Sequence, residues 1–93
     1  MLSFEIEMFG LPSNITKLRK IRLKLNEGAS LRDLVAALQQ AIPTLDGPVI
    51  QAGENQLVDR YGFNINGLFY TGKQEFKLKR GDKIALMTLA TGG

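Results

Sequence analysis

The chain contains no cysteine and no histidine. Without cysteine there is no disulfide, zinc ribbon, iron–sulfur cluster or thiolate nucleophile. Without histidine there is no Ser–His–Asp triad, no imidazole base and no histidine-ligated metal site. Most enzyme classes fall before any residue is placed. Long apolar runs are missing too. None approaches the ~20 residues of a membrane span. The start, Met1-Leu2-Ser3-Phe4-Glu5, lacks the basic and apolar regions of a secretory leader. A cytoplasmic location is therefore expected. Acidic side chains number 9 against 12 basic ones, a net charge of +3. That excess is too small to demand nucleic acid as a partner. What remains is ordinary: 93 residues, 44% hydrophobic and 23% charged. The expectation is one small domain over residues 1–93.

Leu2, Phe4, Ile6 and Met8 alternate with Ser3, Glu5 and Glu7, the pattern of a strand with one buried face. Gly10, Pro12, Ser13 and Asn14 mark a loop. Alternation returns over Lys17–Leu25, with Ile21, Leu23 and Leu25 inward and Lys20, Arg22 and Lys24 outward. The short connection suggests an antiparallel hairpin, with Glu5 and Glu7 facing Arg22 and Lys24. Gly28 breaks the pattern, and Ser30 with Asp33 forms a plausible helix N-cap and acidic first turn. Leu31, Leu34, Val35, Leu38 and Ile42 keep helical spacing up to Pro43, which predicts a helix over residues 31–42. Residues 44–62 are hard to read; Pro48, Gly53, Asn55 and Gly62 suggest loops, with room for a short strand at Pro48–Gln51. Phe63–Asn66 alternates again and ends at Gly67. Gln74–Lys79 fits a strand or a single turn equally. Arg80-Gly81-Asp82 reads as a turn, and Lys83–Leu89 as an apolar final strand.

The order is strand, strand, helix, then further strands. The simplest arrangement sets the first and last strands parallel at the centre of a mixed sheet. Their connection then crosses through the helix, which covers one face. This predicts an α+β fold of the β-grasp (ubiquitin-like) type, with four to five strands and one main helix.

The sequence closes on Leu89-Ala90-Thr91-Gly92-Gly93. Two terminal glycines are often no more than a frayed end. Directly after a strand they suggest more. Glycine has no Cβ, so Gly92 can pass a narrow channel and leave the Gly93 carboxylate open to attack. A carboxylate is ionised and a poor electrophile at neutral pH. ATP would convert it to an acyl-adenylate, which a sulfur or amine nucleophile can open. Residues 90–93 are accordingly expected to form a flexible tail, and the catalytic groups to sit on a partner.

At these residues the chain resembles the ubiquitin-like sulfur carriers, above all the MoaD-like small subunit of molybdopterin synthase, with ThiS-like carriers close by. The resemblance rests on Ser30-Leu31-Arg32-Asp33-Leu34, Ala41-Ile42-Pro43, Ile65-Asn66-Gly67, Leu78 through Leu86, and Gly92-Gly93. Two features depart from it: Thr88-Leu89-Ala90-Thr91 lacks a proline before the glycines, and residues 44–62 exceed a minimal carrier. The resemblance implies that an E1-like enzyme uses ATP to adenylate Gly93. A sulfurtransferase then supplies sulfur for a thiocarboxylate, and a MoaE-like large subunit passes it to a pterin in molybdenum or tungsten cofactor synthesis. Gly93 carries the sulfur and Gly92 gives access. The chain itself would bind no cofactor or metal and would not be an enzyme alone. The rivals are a protein modifier joined to lysine through Gly93, a carrier for thiamin or transfer RNA thiolation, and a β-grasp RNA-binding module.

Other features have two readings each. Gly67 through Lys73 has phosphate-loop spacing, but Gln74 stands where a hydroxyl is needed, so a glycine-punctuated turn is the better reading. Arg80-Gly81-Asp82 spells an adhesion tripeptide and also an ordinary turn. Lys17, Arg19, Lys20, Arg22 and Lys24 form either a solvated face or a docking surface for an acidic partner. In the last strand, Ile84 and Leu86 point inward. Ala85, Met87, Leu89 and Thr91 are the candidate partner-binding residues, unless residues 44–62 cover that face.

Overall fold

The computed structural model describes residues 1–51, 53–71 and 74–88. Strand β1 spans Leu2–Phe9 and buries every second side chain, as its alternation requires. It pairs antiparallel with β2, Lys20–Leu25. The strand begins later than Lys17. The Ile15 and Thr16 amides both donate to the Pro12 carbonyl, and the Leu18 amide donates to Thr16 Oγ1 at 3.1 Å. Those turns occupy the backbone before β2 can start. The register sets Glu5 opposite Arg22, Glu7 opposite Lys20 and Ser3 opposite Lys24. Of the expected facing of Glu5 and Glu7 with Arg22 and Lys24, Glu5 opposite Arg22 is present, while Lys24 faces Ser3 and no glutamate. Glu5 alone takes both Lys20, at 3.7 Å, and Arg22, at 3.5 Å. Such exposed pairs contribute about 0.2–1 kcal/mol each.

Helix α1, Leu31–Ala41, opens with a reciprocal cap. The Asp33 amide donates to Ser30 Oγ at 3.1 Å, and the Ser30 amide donates to Asp33 Oδ2 at 3.0 Å. It buries Leu31, Leu34, Val35 and Leu38 on one face. The helix stops one residue short of the predicted end, because Pro43 disfavours helical geometry at Ile42 (φ −132°, ψ 82°). Ile42 still enters the core.

The described residues of 43–62 are more regular and more buried than the sequence suggests. Pro43–Leu45 is a 3₁₀ turn. Strands β3, Ile50–Gln51, and β4, Gln56–Leu57, form a small antiparallel pair. The short strand expected at Pro48–Gln51 is therefore present in part. Leu45, Val49, Ile50 and Leu57 join the same core cluster as α1. This segment extends the helix side of the core.

Strand β5, Tyr61–Ile65, turns through Asn66 (φ +55°) and Gly67 (φ +89°) into β6, Leu68–Thr71. Two successive positive φ values make the tight hairpin turn that Asn-Gly favours. The phosphate-loop reading of Gly67 through Lys73 thereby loses its loop, since residues 68–71 are strand. Residues 74–83 connect back to the central strand and include a turn over residues 79–82. Leu78 is fully buried, its amide donating to the Ala29 carbonyl at 2.9 Å and its carbonyl accepting from Gly28 at 2.8 Å. Gln74–Lys79 is thus neither a full strand nor a single turn; one isolated bridge links Lys77 to Ser30. In the turn over residues 79–82, Asp82 Oδ2 accepts from the Lys79 amide at 2.7 Å. That carboxylate staples its own turn, which removes it from an adhesion role.

Strand β7, Ile84–Thr88, completes the sheet in the order β2-β1-β7-β5-β6. It runs parallel to β1 and antiparallel to β5. The first and last strands are adjacent at the centre, and the fold is a β-grasp. The core lies between one sheet face and α1. Phe4, Ile6, Phe63, Ile65 and Leu86 from the sheet meet Leu34, Leu38 and Leu45. Each such side chain contributes about 1.5–3 kcal/mol by leaving water.

Candidate functional site: the end of the central strand and its outer face

Ile84 and Leu86 are buried against the core, so Ala85 and Met87 project from the opposite face of the sheet. Ala85 stands between Glu7 on β1 and Asn64 on β5. Met87 stands between Phe9 and Gly62. Both are half-buried, while Phe9 is 48% exposed. Phe69 reaches across from β6 and lies over Gly62. A Cβ at Gly62 would fall 2.4 Å from Phe69 Cζ. Phe9, Met87, Gly62 and Phe69 thus make one apolar strip across the sheet. Residues 44–62 do not cover it through their buried members Leu45, Val49, Ile50 and Leu57, which pack into the core behind the sheet. Toward the other end of β7, a shallow hollow of ≈ 420 Å³ is bordered by Glu5, Glu7, Asp82 and Lys83. The strip therefore has a charged rim.

The end of β7 is held on two sides. Thr88 Oγ1 donates to the Arg60 carbonyl at 3.4 Å. Its methyl group packs against Gly10, which has φ +74°; a Cβ there would come within 2.7 Å of Thr88 Cγ2. A side chain at residue 10 would be strained and would push on Thr88. Strand β7 is hydrogen-bonded on both sides by β1 and β5. The chain therefore reaches residue 88 on the central strand of the sheet, paired on both sides, next to the apolar strip.

Of the residues predicted to form the site, Ala85 and Met87 lie together on this face. Leu89, Thr91, Gly92, Gly93 and the expected tail 90–93 lie outside the described residues. Phe9, Gly62 and Phe69 were not singled out from sequence. The signal was there for Phe9: the outward series Ser3, Glu5, Glu7 ends on an aromatic residue. Gly62 and Phe69 needed the strand pairing. Among the described residues, no group of three Asp, Glu, His or Cys side chains is placed to hold a metal. Nor, among them, is any helix long and apolar enough to cross a membrane.

The ThiS family model matches residues 6–93. The chain belongs to the ThiS family. That family lies within the ubiquitin-like sulfur-carrier grouping that its sequence resembles. Solved structures share its fold over nearly their whole length. SAMP1 from Haloferax volcanii superposes with a TM-score of 0.74 at 24% identity, covering 98% of this chain and 99% of the other. Small archaeal modifier protein 1 from Methanosarcina acetivorans gives 0.73 at 21% identity, covering 100% and 98%. A Pyrococcus furiosus protein described as a molybdopterin converting factor, subunit 1, gives 0.69 at 19% identity, covering 95% and 98%. No curated protein sequence matches this ThiS-family chain.

Proposed function

We propose that this ThiS-family protein is a sulfur carrier that acts through a C-terminal thiocarboxylate at Gly93, as the MoaD-like small subunit of molybdopterin synthase. An E1-like enzyme grips the apolar strip of Phe9, Ala85, Met87 and Phe69. One carboxylate oxygen of Gly93 attacks the α-phosphorus of ATP, and pyrophosphate leaves. A hydrosulfide-level nucleophile delivered by a sulfurtransferase then attacks the acyl carbon, and AMP leaves with the carboxyl oxygen. The resulting thiocarboxylate enters a MoaE-like subunit, which supplies the catalytic side chains for transfer to a pterin. The chain supplies the handle and the electrophilic carbon. A cytoplasmic location, where ATP is at hand, is part of this proposal.

The observation that carries this reading is positional. The central strand β7 brings the chain to Thr88 beside an apolar strip, and the family match runs on through Gly92 and Gly93. The five residues after Thr88 can span at most about 18 Å. A partner seated on the strip is therefore within reach of the terminal carboxylate.

The test is intact-mass analysis after incubation with ATP, the cognate E1-like enzyme and a sulfide source. The expected product carries sulfur in place of one oxygen. An unchanged mass with an enzyme that binds the chain would sink the proposal. Deletion of Gly93 should leave folding intact and abolish the mass change.

A second reading has support in the likeness to two modifier proteins. There a lysine amine opens the same adenylate, forming an isopeptide bond. Covalent conjugates on other proteins, lost on deletion of Gly93, would favour it. A stable complex with a MoaE-like subunit favours the carrier.

A further inference from the structure

Strand β2 is one edge of the five-stranded sheet. The Met8 amide donates to the Arg19 carbonyl at 2.7 Å, so the 8–19 pair is a hydrogen-bonded one. Antiparallel pairs alternate. In the observed register Ile21, Leu23 and Leu25 therefore bond to β1, and the backbone groups of Lys20, Arg22 and Lys24 point out of the sheet. The same three residues carry the exposed basic side chains, while Ile21, Leu23 and Leu25 are half-buried toward the helix side. A hollow of ≈ 580 Å³ runs from Lys24 and Leu25 to the small side chains Ala36 and Ala37 of α1. Another, of ≈ 590 Å³, continues past the other end of β2, where Leu11, Lys17, Arg19 and Lys20 line it.

We propose that the open edge of β2 is a docking site for an extended peptide of a partner protein that alternates acidic and apolar side chains. The added strand would bond to the outward N–H and C=O groups of Lys20, Arg22 and Lys24. On the solvent face its side chains would neighbour those three cations, which selects carboxylates. On the other face they would lie over Ile21, Leu23 and Leu25, and near Ala36 and Ala37, which selects apolar groups. On the neighbouring strand Glu5 pairs with both Lys20 and Arg22, Glu7 stands opposite Lys20, and Lys24 faces Ser3, so three cations meet two carboxylates. The row therefore keeps net positive charge. Glu27 and Asp33 border the hollow on the helix side, where the partner's side chains are apolar.

The same charges argue against other occupants. A second copy paired through β2 would set cations against cations, which edge strands use to prevent self-pairing. Single-stranded RNA favours aromatic stacking platforms beside its cations. Here Phe63 is buried on β5, and Phe69 and Tyr70 lie on β6, at the far edge of the sheet, so that Phe9 on β1 is a single exposed ring near these cations rather than a row of them.

The test is a titration of ¹⁵N-labelled protein with a synthetic peptide of alternating glutamate and valine, at low and high salt. Saturable binding is expected, with new exchange protection at the Lys20, Arg22 and Lys24 amides. Affinity should fall about ten-fold or more at high salt through screening. Lys24→Pro removes one outward N–H while sparing the bonds to β1. It should weaken binding about five-fold or more. Arg22→Gln and Lys24→Gln should each weaken it about two- to five-fold; their double variant carries the test if the proline variant misfolds. A chain lacking Gly92 and Gly93 should bind equally well, which separates this site from the tail chemistry. The proposal is overturned if the peptide does not bind, or if a lysine–valine counterpart binds as well. It is also overturned if the shifts map to β6 or to the strip around Met87. RNA or a second copy protecting these amides where the peptide does not would overturn it as well.

Discussion

The side-chain amide of Asn66 donates to Asp82 Oδ1 at 2.8 Å, joining the β5–β6 turn to the turn that launches β7. Asn66 makes two further bonds to the same segment. Its amide donates to the Lys83 carbonyl at 2.9 Å, and its side-chain oxygen accepts from the Lys83 amide at 2.9 Å. These residues sit in Ile65-Asn66-Gly67 and in Leu78 through Leu86, two stretches that carry the family resemblance. Their separate appearance in sequence hides one interlocked unit that aims the central strand.

Asp82→Ala should therefore destabilise the fold by about 1–3 kcal/mol, since it removes partners from both Asn66 and the Lys79 amide. Asn66→Ala adds a positive-φ penalty to the same losses. In urea unfolding the double variant should cost clearly less than the sum of the two single changes. Additive effects would show that the two turns are independent.

Gly62 lies beneath Phe69. Gly62→Ala would place a Cβ 2.4 Å from Phe69 Cζ and 2.9 Å from the Tyr70 carbonyl oxygen. A loss of about 1–3 kcal/mol is expected from this crowding. Phe69→Ala in the Gly62→Ala background should recover part of it, because the ring moves away but the backbone oxygen stays. Thermal melts of the three variants check this.

Ile50 is fully buried in the core cluster. Ile50→Ala should cost about 2–5 kcal/mol, the usual range for emptying such a site. A change under about 0.5 kcal/mol in denaturant unfolding would mean that residues 43–62 are a loose excursion outside the core.

Phe9 and Met87 are offered to solvent on the strip beside the end of β7. Phe9→Ser with Met87→Ser should raise the KM of the cognate E1-like enzyme for this chain about ten-fold or more, as loss of apolar anchors does. Its kcat should change little, because the reacting carboxylate is untouched. A fall in kcat alone, with KM constant, would place the grip elsewhere.

Local chemistry made much of this protein legible in one dimension. Period-two alternation revealed β1 and most of β2, and the Ser30–Asp33 cap with its helical stripe revealed α1. Asn66-Gly67 ended a strand where its turn chemistry demanded. Residues 44–62 were obscure because each piece is short: a three-residue turn and two two-residue strands carry no period to detect. Their apolar residues are ordered by α1 and the sheet they pack against.

The amino-acid order alone settled which classes of chemistry this chain can host, since absent cysteine and histidine remove their reactions whatever the fold. It also settled the order of β1, β2, α1 and β7, because backbone preference and side-chain period act over a few neighbours, whereas β6 read as a turn until the structure paired it with β5. Tertiary structure decided which residues share a face. Phe9, Gly62, Phe69 and Met87 are far apart in sequence and meet only because β1, β7, β5 and β6 lie side by side. It also decided that Glu5 serves two cations while Lys24 has none opposite, since strand register follows from how both partners bury their apolar sides.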